Sequence, residues 1–322
     1  MPIRIKDSLP AQAILEEENI FVMTEFRAMH QDIRPLEVLI LNLMPNKEVT
    51  ETQILRKLSN SPLQCNVELL QTASYTPTHV DSNHLESFYT TFDQIKDRKF
   101  DGMIITGAPL AYVEYEDVTY WKELCTIMDW AKVHVHCTFF LCWGAFAGLY
   151  HHFGVHHKFY DKKLSGIYAH RVLKPTSPLF RGFDDVFYAP HSREIYIDRS
   201  DIEDIKGLEV MAESDEAGIT MLKTEDSKMF FVFCHLEYDA NTLSDEYHRD
   251  LGKGMDPDIP ENYFPEDDPD KDPVVNWRSA GQLFYTNWLN YYVYQSTPYD
   301  VAKIGEDVDI TRADDVDYGM YI

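Results

Sequence analysis

From Leu36 onward, short apolar runs alternate with stretches of helical spacing. Leu36 to Met44 (LEVLILNLM) is apolar almost throughout, which predicts a strand covered on both faces, stopped by Pro45. Val49, Ile54, Leu55 and Leu58 then share one side of a helix over Val49 to Leu58. Cys65 to Leu70 predicts a second strand and His84 to Ile95 a helix. Phe100 to Thr106 predicts a third strand, ended by Gly107-Ala108-Pro109. A helix over Tyr120 to Val133, a strand over Cys137 to Leu141 and a helix over Trp143 to Phe153, closed by Gly154, continue the series. Strand and helix in alternation imply βαβ units around a mostly parallel sheet flanked by helices, an α/β fold.

After Lys163 the texture changes to shorter β-like stretches at Leu164–Leu173, Val186–Tyr188 and Leu208–Ala212. A hairpin is expected to pair Ile219–Leu222 with Met229–Cys234 across Thr224-Glu225-Asp226-Ser227. A helix from Asn241 to Leu251, an acidic proline-rich loop from Asp256 to Pro273 and a long aromatic helix from Trp277 to Gln295 follow. No internal repeat is visible. The expected organisation is an N-terminal arm (1–35) lying over the domain or over a neighbouring subunit, one α/β domain (36–300) and an acidic tail (301–322). Phe284, Tyr285, Trp288, Tyr291, Tyr292 and Tyr294 make the last helix too broadly aromatic for one buried stripe. Core plus subunit contact is the expectation, hence a homodimer.

Composition narrows the function. The 322 residues carry 29 Lys+Arg against 54 Asp+Glu, a net charge of −25, with 44% hydrophobic and 13% aromatic residues. That is too apolar for a disordered acidic chain. A surface of this sign repels phosphates, so nucleic acid and anionic membrane are not default partners. No apolar run approaches the length of a membrane span, and Met1 to Asp7 lacks the apolar core of a secretion signal. Five cysteines at 65, 125, 137, 142 and 234, with no CxxC pair, suit free thiols in a reducing compartment, so a cytoplasmic location is expected.

Three strand ends carry candidate chemistry. In FFLCWGAFAG (139–148) a buried strand ends in Cys142 and a helix of small residues begins at once, the pattern of a nucleophile elbow. The helix N-terminus favours a thiolate and offers N–H groups to an oxyanion. A buried structural cysteine is the commoner occupant of such a position. In FVFCHLEYD (231–239), His235 and Glu237 stand two apart after an apolar strand, suited to a base and the carboxylate that orients it. A surface His and Glu in a turn fit the same spacing. Gly107, in the turn after the third strand, could supply an oxyanion N–H beside that of Trp143, or form an ordinary βα loop. His134-Val135-His136 and His151-His152-Phe153-Gly154-Val155-His156-His157 hold six of the thirteen histidines. Adjacent His-His pairs around a helix-ending glycine do not converge on one point, so no metal is expected. The acidic loop lacks the glycine and spacing of a calcium-binding EF-hand.

The strings LNLMP (41–45), TETQ (50–53), FDGMIITGAPL (100–110), CWGAFAGLY (142–150), KLSGIY (163–168), RGFDD (181–185), APHSR (189–193), HLEYD (235–239) and NYFPEDDP (262–269) together resemble the homoserine O-acyltransferase family. The resemblance spans Met1 to about Asp300. It implies a class I glutamine-amidotransferase-like (flavodoxin-like) fold with added β-hairpins and a C-terminal helix. It also implies acyl transfer from an acyl-CoA to the hydroxyl of L-homoserine, a committed step towards methionine, with no cofactor beyond the acyl-CoA co-substrate. Cys142 would carry the acyl group as a thioester in a ping-pong cycle, with His235 the base and Glu237 its orienting carboxylate. Lys163, Ser192 and Arg249 match positions that hold homoserine, and Lys47 a lysine near the acyl-CoA. Without the resemblance, Arg249 reads as a helix-surface charge paired with Asp245 or Glu246.

Two positions depart from the family pattern. Cys234 stands where glycine is usual before the base; its thiol is expected to face the other side of the strand and pack in the core. Ala111 stands where glycine accompanies succinyl-CoA and glutamate accompanies acetyl-CoA. Alanine adds one methyl and no charge, so succinyl-CoA is favoured, with acetyl-CoA the alternative and serine an alternative acceptor. A Cys–His–Glu hydrolase or amidotransferase, and a non-catalytic binding protein on the same fold, are the competing readings.

Overall fold

The structure, a computed structural model, describes residues 3–6, 9–17, 23–24, 34–75, 82–298 and 300–305. The rest of the expected arm, and residues 306–322 of the expected tail, lie outside the described residues. Strands β1 (Ile3–Ile5), β2 (Met23–Thr24), β3 (Leu36–Leu41), β4 (Cys65–Leu70), β5 (Tyr89–Thr90), β6 (Phe100–Ile105), β7 (Val135–Leu141), β8 (Lys158–Val172), β9 (Val186–Tyr196), β10 (Leu208–Ser214), β11 (Gly218–Thr224) and β12 (Met229–Val232) form one sheet. Its order is β2-β1-β4-β3-β6-β7-β12-β11-β10-β8-β9, with β5 beside β4. Pairing is parallel from β2 through β12 and antiparallel from β12 to β9. The alternation read from the sequence thus yields the expected α/β sheet. Of the arm, β1 pairs with the N-terminal end of β4 and extends the sheet at its edge.

The central strands are apolar on both faces because helices cover both. Val38 and Ile40 point into one core with Ile54, Leu55, Phe284 and Trp288. Leu39 and Leu41 point into the other, with Leu124, Ile127, Ala145 and Phe146. Side chains alternate across a strand, so one apolar run serves two layers.

Several boundaries differ from expectation. The helix expected over His84 to Ile95 is two short ones, Ser82–Phe88 and Phe92–Ile95, separated by β5. Tyr89 and Thr90 pair with Leu69 and Leu70 there, and Thr91 with Gln94 forms a capping box that starts the second. Tertiary pairing overrides local helical spacing. The expected Leu164–Leu173 and Val186–Tyr188 stretches fall at the C-terminal part of β8 and the N-terminal start of β9, strands paired from Lys158↔Tyr196 to Arg171↔Val186. The hairpin is as expected, with Leu222 opposite Phe231. The last helix is α-helical over Arg278–Asn287 and widens to a π-helix over Trp288–Tyr294, where Gln295 N donates to Asn290 O at 3.0 Å. Its aromatics are buried except Tyr294.

The sheet and the helix Trp143–Phe153 meet closely at Gly144. A Cβ there would lie 2.5 Å from Thr106 O and 3.0 Å from Ile105 O, both backbone atoms that cannot swing away. Gly144→Ala should therefore destabilise the fold by about 1–3 kcal/mol, as overpacking does elsewhere. Urea unfolding monitored by tryptophan fluorescence checks this, and an unchanged midpoint would contradict it.

Candidate functional site

Cys142 directly follows β7 and caps the helix Trp143–Phe153, with φ 50° and ψ −119°. A non-glycine residue at positive φ is strained, and it persists only where its surroundings hold it. Here Cys142 N donates to Val232 O at 2.7 Å, and Ala145 N donates back to Cys142 O at 2.9 Å. The strain lifts the side chain above the C-terminal edge of the parallel strands. Gly107 lies against it: a Cβ at Gly107 would fall 3.2 Å from Cys142 Cβ and 3.5 Å from Trp143 N. The two backbone groups expected to form an oxyanion pocket thus flank the sulfur-bearing residue.

Because β12 runs parallel to β7, with Val232 opposite Leu141, the chain that follows β12 passes beside Cys142. His235 N donates to Pro190 O at 2.8 Å, tying this segment to β9. His235 Nδ1 lies 2.6 Å from Glu237 Oε1, and both side chains are buried. That bond leaves Nε2 for the cysteine. Burial opposes a charged imidazole, yet the Cys142 sulfur and the Glu237 carboxylate, through charge and hydrogen bonds to the ring, hold His235 well above its usual value. Lys57 faces Glu237 from the neighbouring helix; burial pushes its amine down to about 8, opposed by Glu237 and then Asp239. Cys234 is fully buried in the core that contains Phe284 and Tyr285, as its expected packing requires, and burial pushes its thiol up.

A second cluster adjoins the base. The Tyr238 ring stacks on His235, with centroids 4.2 Å apart and planes at 18°. Its hydroxyl donates to Glu246 Oε1 at 3.0 Å. Glu246 Oε2 accepts from Lys163 Nζ at 3.1 Å and from the Ser192 hydroxyl. Burial would raise Glu246, but the Lys163 charge, the Ser192 hydrogen bond and His235 hold it below the usual carboxylate range. Arg249 does not join Glu246 or Asp245: its Nε donates to Asp250 Oδ1 at 2.9 Å, and Asp250 in turn lies 3.7 Å from Lys163. A half-exposed guanidinium takes the carboxylate next along its own helix. Lys163, Ser192 and Arg249 therefore meet around Glu246 and Asp250, two acids that the sequence reading did not assign to a site. Their signal was present: Glu246, Arg249 and Asp250 stand at i, i+3 and i+4 on one helix face.

A cavity of about 260 Å³ opens between Asn42–Pro45, Ala108–Leu110 and Val118–Tyr120. It sits beyond the C-terminal ends of β3 and β6, where open α/β sheets bind ligands. Lys47 lines it, donates to Asn42 O and lies 5.3 Å from the Tyr89 ring centroid. Burial, opposed by Glu51, pushes the Lys47 amine down to about 8. Ala111 follows Leu110 of the lining and is buried.

The histidine clusters behave differently from expectation. His151 and His152 do approach one point: with Asp129, their ligand atoms all lie within 4.8 Å of one another. The helix Trp121–His134 brings Asp129 across, and His151 Nε2 sits 2.9 Å from its carboxylate. Among the described residues, no helix is long and apolar enough to cross a membrane.

The family model for homoserine O-succinyltransferase matches residues 2–299. A homoserine O-acetyltransferase of Petrotoga mobilis is 55% identical over 308 residues, 96% of this chain and 100% of that protein. One of Methanomassiliicoccus intestinalis is 56% identical over 306 residues, covering 95% and 99%. A homoserine O-succinyltransferase of Alteromonas mediterranea is 53% identical over 306 residues, covering 95% and 98%. Among solved structures, SMU.1228c shares the fold at TM-score 0.50 and 14% identity, covering 79% of this chain and 99% of that one. A glutamine amidotransferase of Thermotoga maritima gives TM-score 0.49 at 10% identity, covering 80% and 98%. Matched along almost its whole length, the chain belongs to the homoserine O-succinyltransferase family, a family of acyltransferases.

Proposed function

We propose that the protein transfers an acyl group from an acyl-CoA to the hydroxyl of L-homoserine through a thioester on Cys142. The observation that carries this reading is the His235 Nδ1–Glu237 contact of 2.6 Å, which leaves Nε2 free to serve a cysteine held at an elbow. Family membership and the printed names of the relatives supply the substrate class.

In the first half-reaction His235 takes the Cys142 proton and the thiolate attacks the acyl carbonyl. Backbone N–H groups of Trp143 and Gly107 stabilise the oxyanion as it forms. Collapse breaks the bond to the CoA sulfur, and the imidazolium returns its proton to that leaving group. In the second half-reaction His235 takes the homoserine hydroxyl proton, the oxygen attacks the thioester, and the Cys142 thiolate leaves. Glu237 fixes the ring tautomer and supports the imidazolium in both.

The cluster around Glu246 suits the amino acid. A carboxylate held ionised can take the α-ammonium, while Lys163 and Arg249 offer cations to the α-carboxylate and Ser192 a hydroxyl. Tyr238 connects this cluster to the base, so the acceptor hydroxyl would arrive beside His235. The cavity lined by Lys47 suits the acyl-CoA. Ala111 supports succinyl-CoA as donor, because it brings neither the bulk nor the charge of a glutamate. Acetyl-CoA is the second reading, favoured by the names of relatives that are 55% and 56% identical. We further propose that the protein works in the cytoplasm, which its free cysteines support.

Two variants and a substrate matrix test this. Assay of succinyl-CoA and acetyl-CoA against homoserine and serine should show acyl-homoserine formation with the succinyl donor preferred; hydrolysis with no amino-acid acceptor would favour a hydrolase. Cys142→Ser should lower turnover by two or more orders of magnitude, since an alkoxide forms far less readily than a thiolate near neutral pH. Ala111→Glu should move the ratio of kcat/KM values towards acetyl-CoA by about tenfold or more, the scale of one pocket contact. Unchanged donor ratios would remove this position from donor selection.

A further inference from the structure

The last turn of the helix Trp143–Phe153 carries His151 and His152 side by side. Neighbours on an α-helix point about 100° apart, so two such imidazoles converge only on a group that lies between their directions. Asp129 of the helix Trp121–His134 is that group. One ligand atom from each of the three side chains lies within 4.8 Å of the other two.

The rings are held in place. His151 Nε2 sits 2.9 Å from Asp129 Oδ1, and the Trp121 ring meets the His151 ring edge-on at 6.3 Å. The His152 ring lies 4.8 Å from that of His151 and edge-on to Phe140 at 6.1 Å. Buried polar atoms are nearly always hydrogen-bonded, yet His152 Nε2 is buried and has no hydrogen-bond partner. Burial first, then His151 and Lys132, push His152 down to about 4, so its imidazole is neutral, the form that ligates metals.

We propose that Asp129, His151 and His152 bind one divalent transition-metal ion of the zinc class, clipping the helix Trp121–His134 to the end of the helix that starts at Cys142. The donor set selects the ion. Two imidazole nitrogens and one carboxylate oxygen suit Zn²⁺ or Co²⁺, whereas Mg²⁺ and Ca²⁺ take oxygen ligands and Cu⁺ takes sulfur. Asp129 is 62% exposed, so water reaches the fourth position. Metal bonds of about 2.0–2.2 Å place tetrahedral ligand atoms roughly 3.3–3.5 Å apart, so the group must contract, which an exposed aspartate side chain permits. Coordination at His151 Nε2 replaces the proton it shares with Asp129. In a neutral ring that proton moves to Nδ1, and an imidazolium releases one to solvent.

The ion would act on the fold and not on the chemistry. Nine helical residues separate Cys142 from His151, about 13 Å along the axis, so the ion and the sulfur share no ligand. The two helices flank β7 in sequence, and a ligand that binds only their folded arrangement stabilises it by mass action. A chain of net charge −25 also favours a cation at its surface over an anion.

The test uses the untagged, chelator-treated full-length protein, titrated with CoCl₂ and, separately, with ZnCl₂. The first equivalent of Co²⁺ should give the visible absorption of a tetrahedral nitrogen–oxygen site, with no near-ultraviolet thiolate-to-cobalt band. One equivalent of Zn²⁺ should displace it and raise the thermal midpoint. Asp129→Ala, a change at an exposed position, should weaken Zn²⁺ binding at least about tenfold, and His151→Ala should do the same. No binding, a thiolate band in the first equivalent, or parental affinity in a folded Asp129→Ala protein would each overturn the proposal. The last result would place the ion at another group, such as His156 and His157. None of these readouts involves an acyl donor or an amino acid, so they succeed or fail apart from the acyl-transfer reading.

Discussion

The pairing of β7 with β12 is the contact on which the site depends. Two strands more than ninety residues apart in sequence run parallel, with Leu141 opposite Val232, and the ladder ends in the bond from Cys142 N to Val232 O. That bond holds Cys142 at a backbone conformation it would not adopt alone, and it delivers the His235–Glu237 segment to the sulfur. Close packing of Gly144 on Thr106 then seats the helix whose N-terminus faces the same point. The site is thus a consequence of register. Shifting β12 by one residue would exchange the side chains that face the two cores and carry His235 away from Cys142.

Charge around this point is arranged against the sign of the whole chain. The protein carries −25, yet Lys47, Lys57, Lys163, Arg193 and Arg249 gather about the elbow, the cavity and the Glu246 cluster. Four of them have these partners: Lys47 a backbone carbonyl, Lys163 the Glu246 carboxylate, Arg249 the Asp250 carboxylate, and Arg193 two carbonyls and a histidine. An anionic co-substrate meets this local field and not the global one. Much of the excess acid lies in the loop 256–272 and beyond Pro298, away from these groups in sequence.

Much of this was legible in the chain. Largely apolar runs at Leu36–Leu41 and Phe100–Ile105 announce strands covered on both faces, and Cys142 before Trp143-Gly144-Ala145 announces the elbow. What local pattern could not supply is pairing between distant segments. The break at Tyr89–Thr90 exists because β4 offers it a partner, and no window around His84 contains β4. For the same reason β8 and β9 are longer than their apolar cores, since polar positions such as Lys158 and Tyr196 pair through backbone atoms. Glu246 was hidden as an ordinary helix-surface acid until Lys163, Ser192 and Tyr238 arrived from other elements. Arg193 was visible only as one letter of a family string; its burial without a carboxylate is a property of the folded state.

The central claim is that a cysteine at the elbow carries the acyl group. Its most direct measurement is the mass of the Cys142 peptide after brief mixing with succinyl-CoA or acetyl-CoA, without and then with homoserine. The account predicts an acyl adduct on Cys142 with the donor alone, discharged on addition of homoserine with formation of the O-acyl amino acid. An unmodified Cys142 peptide while acyl-homoserine still forms on addition of the acceptor would contradict it, because transfer would then bypass the thioester.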